Sequence, residues 1–248
     1  MILWTTFCAA PFPACQIPTP WGRVERGFGE EVMEVKILWY GHACFRITAQ
    51  DGTTLITDPY DESVPYKAPE GPAHIVTVSH DHFDHNAVGR VKGNPEVVRG
   101  VGEWTIRGIS IRGIAAFHDP KGGRERGRNI IFRIEVDGLV LAHFGDLGHT
   151  LSAEQMKPLQ DVQVALIPVG GFYTIGPKEA KEVVQALPSL RVVIPMHYRT
   201  EAVKDWPIRP VQEFLEAVDL TVREFKGEAE LTAQNLPKTK EVWLLSYA

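Results

Sequence analysis

Apolar residues along the chain recur with two periods. Residues 35–40 form an apolar run, and beyond them Cys44, Arg46 and Thr48 alternate with Phe45 and Ile47, so both stretches read as strands. Asp51-Gly52 reads as a hairpin turn, and the returning strand 53–57 is stopped by Asp58-Pro59. Residues 59–72 carry Pro65 and Pro69 as well and read as a loop. The β-branched run Ile75-Val76-Thr77-Val78 predicts a buried strand, and 86–91 a short helix ended by Gly93-Asn94-Pro95. Further strands are predicted over 96–98, 104–106, 109–116 and 130–136, then over 139–144 after a turn at Asp137-Gly138. Ser152 with Gln155 has the form of a capping box, for a short helix that stops at Pro158.

The helical period takes over in the second half. After a buried strand at 162–169, Pro177 is suited to a helix N-terminus, and Ala180, Val183, Val184 and Leu187 follow at i, i+3, i+4, i+7. A strand at 191–194, an amphipathic helix using Val211, Phe214, Leu215 and Val218, and an edge strand at 241–246 complete the chain.

With 248 residues the expectation is one large domain over 33–248, preceded by a peripheral segment 1–32 punctuated by Pro11, Pro13, Pro18 and Pro20. That segment lacks a basic start and makes a poor secretory signal. A net charge of -5 argues against a general affinity for nucleic acid or anionic membrane, and no apolar run approaches a membrane span. Cys8, Cys15 and Cys44 are too few and too scattered for a disulfide framework, which fits a reducing cytoplasm.

Chemistry collects where strands stop. The run 75–78 leads into Ser79-His80-Asp81-His82-Phe83-Asp84-His85, four candidate metal ligands in six residues with no thiolate among them. Imidazole and carboxylate suit zinc, manganese or iron in an open site, and solvated histidines are the common alternative for a lone His-x-His. Other strands end in His118, in Asp146 within Gly145-Asp146-Leu147-Gly148-His149, and in His197. The inventory is then His80, His82 and His118 for one ion, Asp84, His85 and His197 for a second, and Asp146 between them.

Several residues stay open at this level. Asp58 is either a partner for a nearby histidine or a turn aspartate, and His42 either a donor behind the ligands or a turn histidine. His149 is a candidate hydrogen-bond partner rather than a ligand. The basic loop 121–128 offers Arg128 as the best placed residue for an anionic substrate, against the alternative of a solvated hairpin tip. Tyr198 either donates a hydrogen bond to the reacting group or is a packed aromatic. His74, at the far end of its strand, is read as structural.

The His-x-His-x-Asp-His motif at His80 to His85, with His118, Asp146 and His197 following, resembles the metallo-β-lactamase superfamily. Within it, Trp39-Tyr40-Gly41-His42-Ala43-Cys44-Phe45, Gly145-Asp146-Leu147-Gly148 and Ile194-Pro195-Met196-His197-Tyr198 look like the branch related to L-ascorbate-6-phosphate lactonase. The resemblance implies an α/β (α+β) fold, a four-layer αβ/βα sandwich of two mixed β-sheets flanked by helices, and a structural role for Asp58. It implies a hydrolase with two divalent ions, zinc foremost and manganese or iron as alternatives, in which the metals supply hydroxide and Asp84 is catalytic. The expected substrate is small and anionic, lactone-like or phosphorylated, with no nucleic-acid or membrane partner and with homo-oligomer formation open. Phosphodiester or RNA cleavage, and metal binding without turnover, are the competing functions.

Overall fold

The computed structural model describes residues 33–248; the segment 1–32, with Cys8 and Cys15, lies outside the described residues. Two mixed sheets face each other, as expected. The first contains β1 (Val35–Gly41), β2 (Cys44–Thr48), β3 (Thr54–Thr57), β4 (Ile75–Val78) and β5 (Glu96–Arg99), with β13 (Ala229–Leu231) antiparallel against β1. The second runs in the spatial order β12 (Thr221–Phe225), β14 (Glu241–Leu245), β11 (Val192–Met196), β10 (Val164–Pro168), β9 (Leu139–His143), β8 (Arg128–Val136), β7 (Ile109–Phe117), β6 (Gly102–Ile106).

The strand sequences follow from their neighbours. β4, β10 and β11 are buried at every position because each lies between parallel strands with both faces covered. β1 alternates at its start, with Val35 and Ile37 inward and Lys36 pairing across to Glu230. Asp137 and Gly138 both have positive φ, 48° and 75°, which is the hairpin geometry that an Asp-Gly pair favours. Between the sheets lie Trp39, Phe45, Phe132, Phe144 and the aliphatic residues of both inner faces, each such large side chain contributing about 1.5–3 kcal/mol by burial.

Helices α1 (Ala153–Met156), α2 (Pro177–Ala186) and α3 (Val211–Val218) belong to the second half of the chain, α1 touching β7 and α2 touching β10 and α3. The Ser152–Gln155 capping box is formed, and α2 begins at Pro177 with the Gly176 N–H donating to the Glu179 carboxylate at 3.1 Å. On the first sheet a separate cluster joins Tyr40 of β1 and Ile56 of β3 to the loop residues Tyr60, Val64, Tyr66 and Ile208.

Four elements differ from expectation, β12 and β13 among them, since no strand is predicted over 221–231. The helix predicted at 86–91 is a single 3₁₀ turn, Val88–Arg90. The predicted edge strand at the C-terminus is interior: β14 lies between β11 and β12, and β12 takes the edge. β12 gave no sequence signal because Thr221, Val222, Arg223 and Glu224 are all exposed, so burial imposes no alternation on them.

Candidate metal centre

One end of the sandwich gathers the chemistry. His42 sits in the turn between β1 and β2, Asp58 follows β3, His80 to His85 follow β4, and His118, Asp146 and His197 lie beyond β7, β9 and β11. Three of these residues, His42, Asp58 and His197, have left-handed backbones with φ of 54°, 39° and 52°. Such conformations cost about 1–3 kcal/mol each and persist only where the surroundings hold them. Here the Asp58 N–H donates to Thr77 O at 2.9 Å, and the His42 carbonyl accepts from the His197 N–H at 3.1 Å and from Trp39 Nε1–H at 3.2 Å.

Glycines flank the aspartate of β9 for a steric reason. A Cβ at Gly145 would collide with Ser79 and with Asn129 Oδ1, and one at Gly148 would strike the backbone of His118. Asn129 also accepts the Asp146 N–H at 3.0 Å while donating to Phe144 O at 2.9 Å, which fixes the turn.

Ligand atoms converge in two groups around Asp146. His80, His82 and His118 form one, with every ligand atom within 4.8 Å of the others, and His118 Nε2 lies 3.1 Å from Asp146 Oδ2. His85 and His197 belong to the other, each with Nε2 at 3.3 Å from the same oxygen. Asp84 Oδ2 is 3.8 Å from His85 Nε2. His42 joins this second group, its Nε2 3.1 Å from His85 Nε2 and 3.2 Å from Asp84 Oδ2.

The hydrogen bonds behind these atoms decide where lone pairs point. Ser79 Oγ–H donates to Asp58 Oδ2 at 2.5 Å, so its oxygen accepts from His80 Nδ1–H at 2.9 Å. His80 Nε2 then carries a bare lone pair, buried and without a partner among the described residues. His85 donates Nδ1–H to Asp58 Oδ2 at 2.9 Å, which turns its Nε2 lone pair toward Asp146 and Asp84. Asp146 Oδ1 is likewise buried and unpartnered. Lone pairs aimed at carboxylate oxygens repel unless a proton or a cation lies between them, so the donor set fits divalent ions.

The electrostatics agree. Burial pushes the His42 and His80 imidazoles down to about 4 and about 3, with neighbouring imidazoles adding to the effect, so both are neutral as ligation requires. Burial would raise Asp146, Asp58 and Asp84, but the surrounding imidazoles more than offset it and hold all three below the usual carboxylate range. Burial likewise opposes a charge on His85, yet Asp146, Asp58 and Asp84 together raise it well above its ordinary value. The field that would keep a proton there is one that a cation can replace.

Against known families, the sequence profile described as the beta-lactamase superfamily domain matches residues 36–197. The chain belongs to the metallo-β-lactamase superfamily. A UPF0173 metal-dependent hydrolase of Thermoplasma volcanium is 31% identical over 204 residues, covering 71% of this chain and 90% of that protein. A candidate Zn-dependent hydrolase of the same superfamily from Thermotoga maritima is 40% identical, with a TM-score of 0.71 over 85% of this chain and 98% of the other. The metallo-hydrolase Igni18 of Ignicoccus hospitalis, 24% identical, shares the fold with a TM-score of 0.61 over 80% of this chain and 98% of its own.

All seven superfamily ligand positions expected from the sequence therefore lie at one strand-end cluster, and Asp58 buttresses it through His85 and Ser79. Three other residues that the sequence left open do not line the cleft over the cluster. Arg128 pairs with Phe117 across β7 and β8 and is exposed, because Asn129 next to it points inward and neighbours on a strand alternate. Tyr198 is packed against Trp39 at 5.2 Å between ring centroids and does not line the cleft, the left-handed turn at His197 sending it into the core. Among the described residues His149 bonds to backbone, its Nδ1–H donating to Thr150 O at 2.7 Å and its Nε2 accepting from the Phe117 N–H at 3.2 Å.

Residues that sequence reading missed replace them. The cleft over the cluster, about 550 Å³, is walled by Phe83, Tyr173, Trp206 and Pro207, and its cation is Arg126. Arg126 is held by Asp119, a buried carboxylate that accepts the backbone N–H groups of Lys121, Gly123, Glu125 and Arg126 at 2.8–3.0 Å. An aspartate directly after a ligand histidine and before a glycine-rich loop was the available signal. His74 is structural as expected, its Nδ1 accepting the Thr54 N–H at 3.0 Å.

Proposed function

We propose that this metal-dependent hydrolase opens a small ester-like substrate, a lactone or phosphorylated compound bearing negative charge, in the cytoplasm. The observation that carries the reading is the single oxygen Asp146 Oδ2, within 3.1–3.3 Å of His85, His118 and His197 beneath a cleft whose cation is Arg126. The similarity of residues 39–45, 145–148 and 194–198 to the ascorbate-6-phosphate lactonase branch supports the substrate class. The Zn-dependent description of the Thermotoga maritima protein supports zinc at one position at least.

His80, His82, His118 and Asp146 would hold one divalent ion, and Asp84, His85, His197 and the same Asp146 a second. When bound, such ions lower the pKa of water from roughly 15.7 to about 7 and polarise the substrate's carbonyl or phosphoryl oxygen. Asp84 lines the cleft as a carboxylate held ionised, so it accepts a hydrogen bond from the attacking water and orients it, and its place beside that water would let it relay the proton to the leaving oxygen. Arg126 pairs with the substrate's anionic group, and its guanidinium lies over the Tyr173 ring at 6.0 Å, which keeps it aimed. Phe83 and Trp206 exclude solvent from the reacting bond.

The test uses the full chain loaded with zinc or manganese against a lactone panel and bis-p-nitrophenyl phosphate, with Asp84→Ala as control. The reading predicts turnover of anionic lactones that Asp84→Ala lowers by at least about a hundredfold. Turnover of the diester alone reassigns the protein to phosphodiester cleavage. No turnover on either class with metal bound leaves a metal-binding protein.

A further inference from the structure

We infer that His42 is itself a ligand of the second ion, giving that position five protein donors and suiting it to a six-coordinate metal. The inference rests on the two-ion reading above and concerns which side chains complete the inner position. His42 is no turn histidine in any ordinary sense: it is 2% exposed, and its ring lies 4.3 Å from that of His197 and 4.8 Å from that of His85.

Geometry separates a ligand from a donor standing behind one. Around a six-coordinate ion with bonds of about 2.1–2.2 Å, adjacent ligand atoms are separated by roughly 3.0–3.1 Å. His42 Nε2 meets that edge length twice, at 3.1 Å to His85 Nε2 and 3.2 Å to Asp84 Oδ2. A hydrogen bond from His42 to Asp84 accounts for one of these two approaches, and a cation shared with His85 and Asp84 accounts for both. The three nitrogens of His42, His85 and His197 all lie within 4.8 Å of one another, which is how atoms around one centre are spaced.

The backbone is committed to the same end. His42 occupies a left-handed conformation, φ 54°, directly after Gly41, and its carbonyl accepts from the N–H of His197, a ligand of the same position. Trp206 closes the remaining side edge-on, with ring centroids 5.4 Å apart. The inner position then holds three imidazoles with oxygens from Asp84 and Asp146, leaving one place for water or substrate. Four donors at the outer position, His80, His82, His118 and Asp146, match a tetrahedral ion. The two positions would therefore differ in the metal they prefer, manganese or iron(II) inside and zinc outside.

Cobalt(II) alone is the probe, titrated into the metal-free full chain with bound metal counted by mass spectrometry. The parent is expected to bind two equivalents, one giving the strong visible bands of a four-coordinate ion and the other only weak six-coordinate bands. In His42→Gln and His42→Ala, the weakly absorbing equivalent is expected to bind at least tenfold more weakly or to gain intensity as its coordination number falls. On the cobalt-loaded parent, hyperfine-shifted proton resonances should report six ligating imidazoles, a count that needs no variant to fold. Five imidazoles, or variants that take up the second equivalent with unchanged affinity and spectrum, would overturn the assignment and make His42 a partner of Asp84 outside the coordination sphere. A parent that binds fewer than two ions would instead remove the two-ion reading itself.

Discussion

The two groups of candidate ligands around Asp146, an outer one with His80, His82 and His118 and an inner one with His42, His85 and His197, are built on different terms with water. At the outer one, His82 comes from a loop and lines the cleft beside Phe83, so part of the group meets solvent and substrate. At the inner one, His42, His85 and His197 are each no more than 2% exposed, and Asp58 and Asp146 beside them are as deeply covered. A ligand lost from the outer group leaves a vacancy that water can fill. Loss of His85 from the inner group strands the Asp58 and Asp146 carboxylates it contacts, so the same substitution has different consequences a few ångströms apart.

The largest effect is expected where the comparison collapses, at the carboxylate common to both positions. Asp146→Ala should abolish binding of both ions and lower turnover by at least about a thousandfold, read by metal analysis and initial rates. Retention of two ions would show that Asp146 does not bridge. Next comes the contrast itself: His85→Ala leaves Asp58 and Asp146 buried without their imidazole and should destabilise the metal-free protein by about 3–5 kcal/mol. His82→Ala, from the exposed rim, should shift it by no more than about 0.5 kcal/mol in urea denaturation while still removing the outer ion. Equal destabilisation by the two would erase the distinction between the positions.

Acid probes the buried side of that contrast. His42 and His80 have folded values pushed below the ordinary 6.5, so the stability they confer is complete above that value and is lost as pH falls toward about 4 and about 3. Between pH 7.5 and 4.5, His42 alone should cost the metal-free protein on the order of 2–3 kcal/mol. His85 has the opposite sign: its value is raised, so its contribution is full at low pH and fades as pH rises, offsetting part of the loss. Thermal melts at the two pH values that coincide would contradict this balance.

Smaller effects refine the picture. Asp58→Asn should weaken metal binding by about 10–100-fold with little change in the cleft, since it alters only what orients His85 and Ser79. Arg126→Gln should raise KM for an anionic substrate by roughly tenfold with kcat preserved, whereas Arg128→Gln should leave both unchanged. A larger effect at Arg128 would restore the residue that sequence reading favoured.

That last pair shows where reading the chain runs out. Arg126 and Arg128 share a composition and a loop, and only the register of β8 against β7 separates them: Arg128 is already in the strand, opposite Phe117, while Arg126 is still in the turn that Asp119 organises. Tyr198 follows a ligand in sequence but points into the core, because one positive φ at His197 reverses the chain there. β12 escaped detection since an exposed edge strand carries no burial pattern, and that omission placed β14 at the edge.

By itself the sequence determined the parts whose cause is local. These are the strands written by alternation or continuous apolar runs, the Asp137-Gly138 turn, the Ser152 cap, and four candidate ligands brought together by spacing alone in His80 to His85. Tertiary structure decided everything that depends on distance through space. It chose which of His42, His149 and Tyr198 reach the centre, and which arginine faces the cleft. It also packed three carboxylates around one imidazole. Periodicity tells a residue which face of its own element it occupies, but only the packing of separate strand ends tells it what lies across the gap.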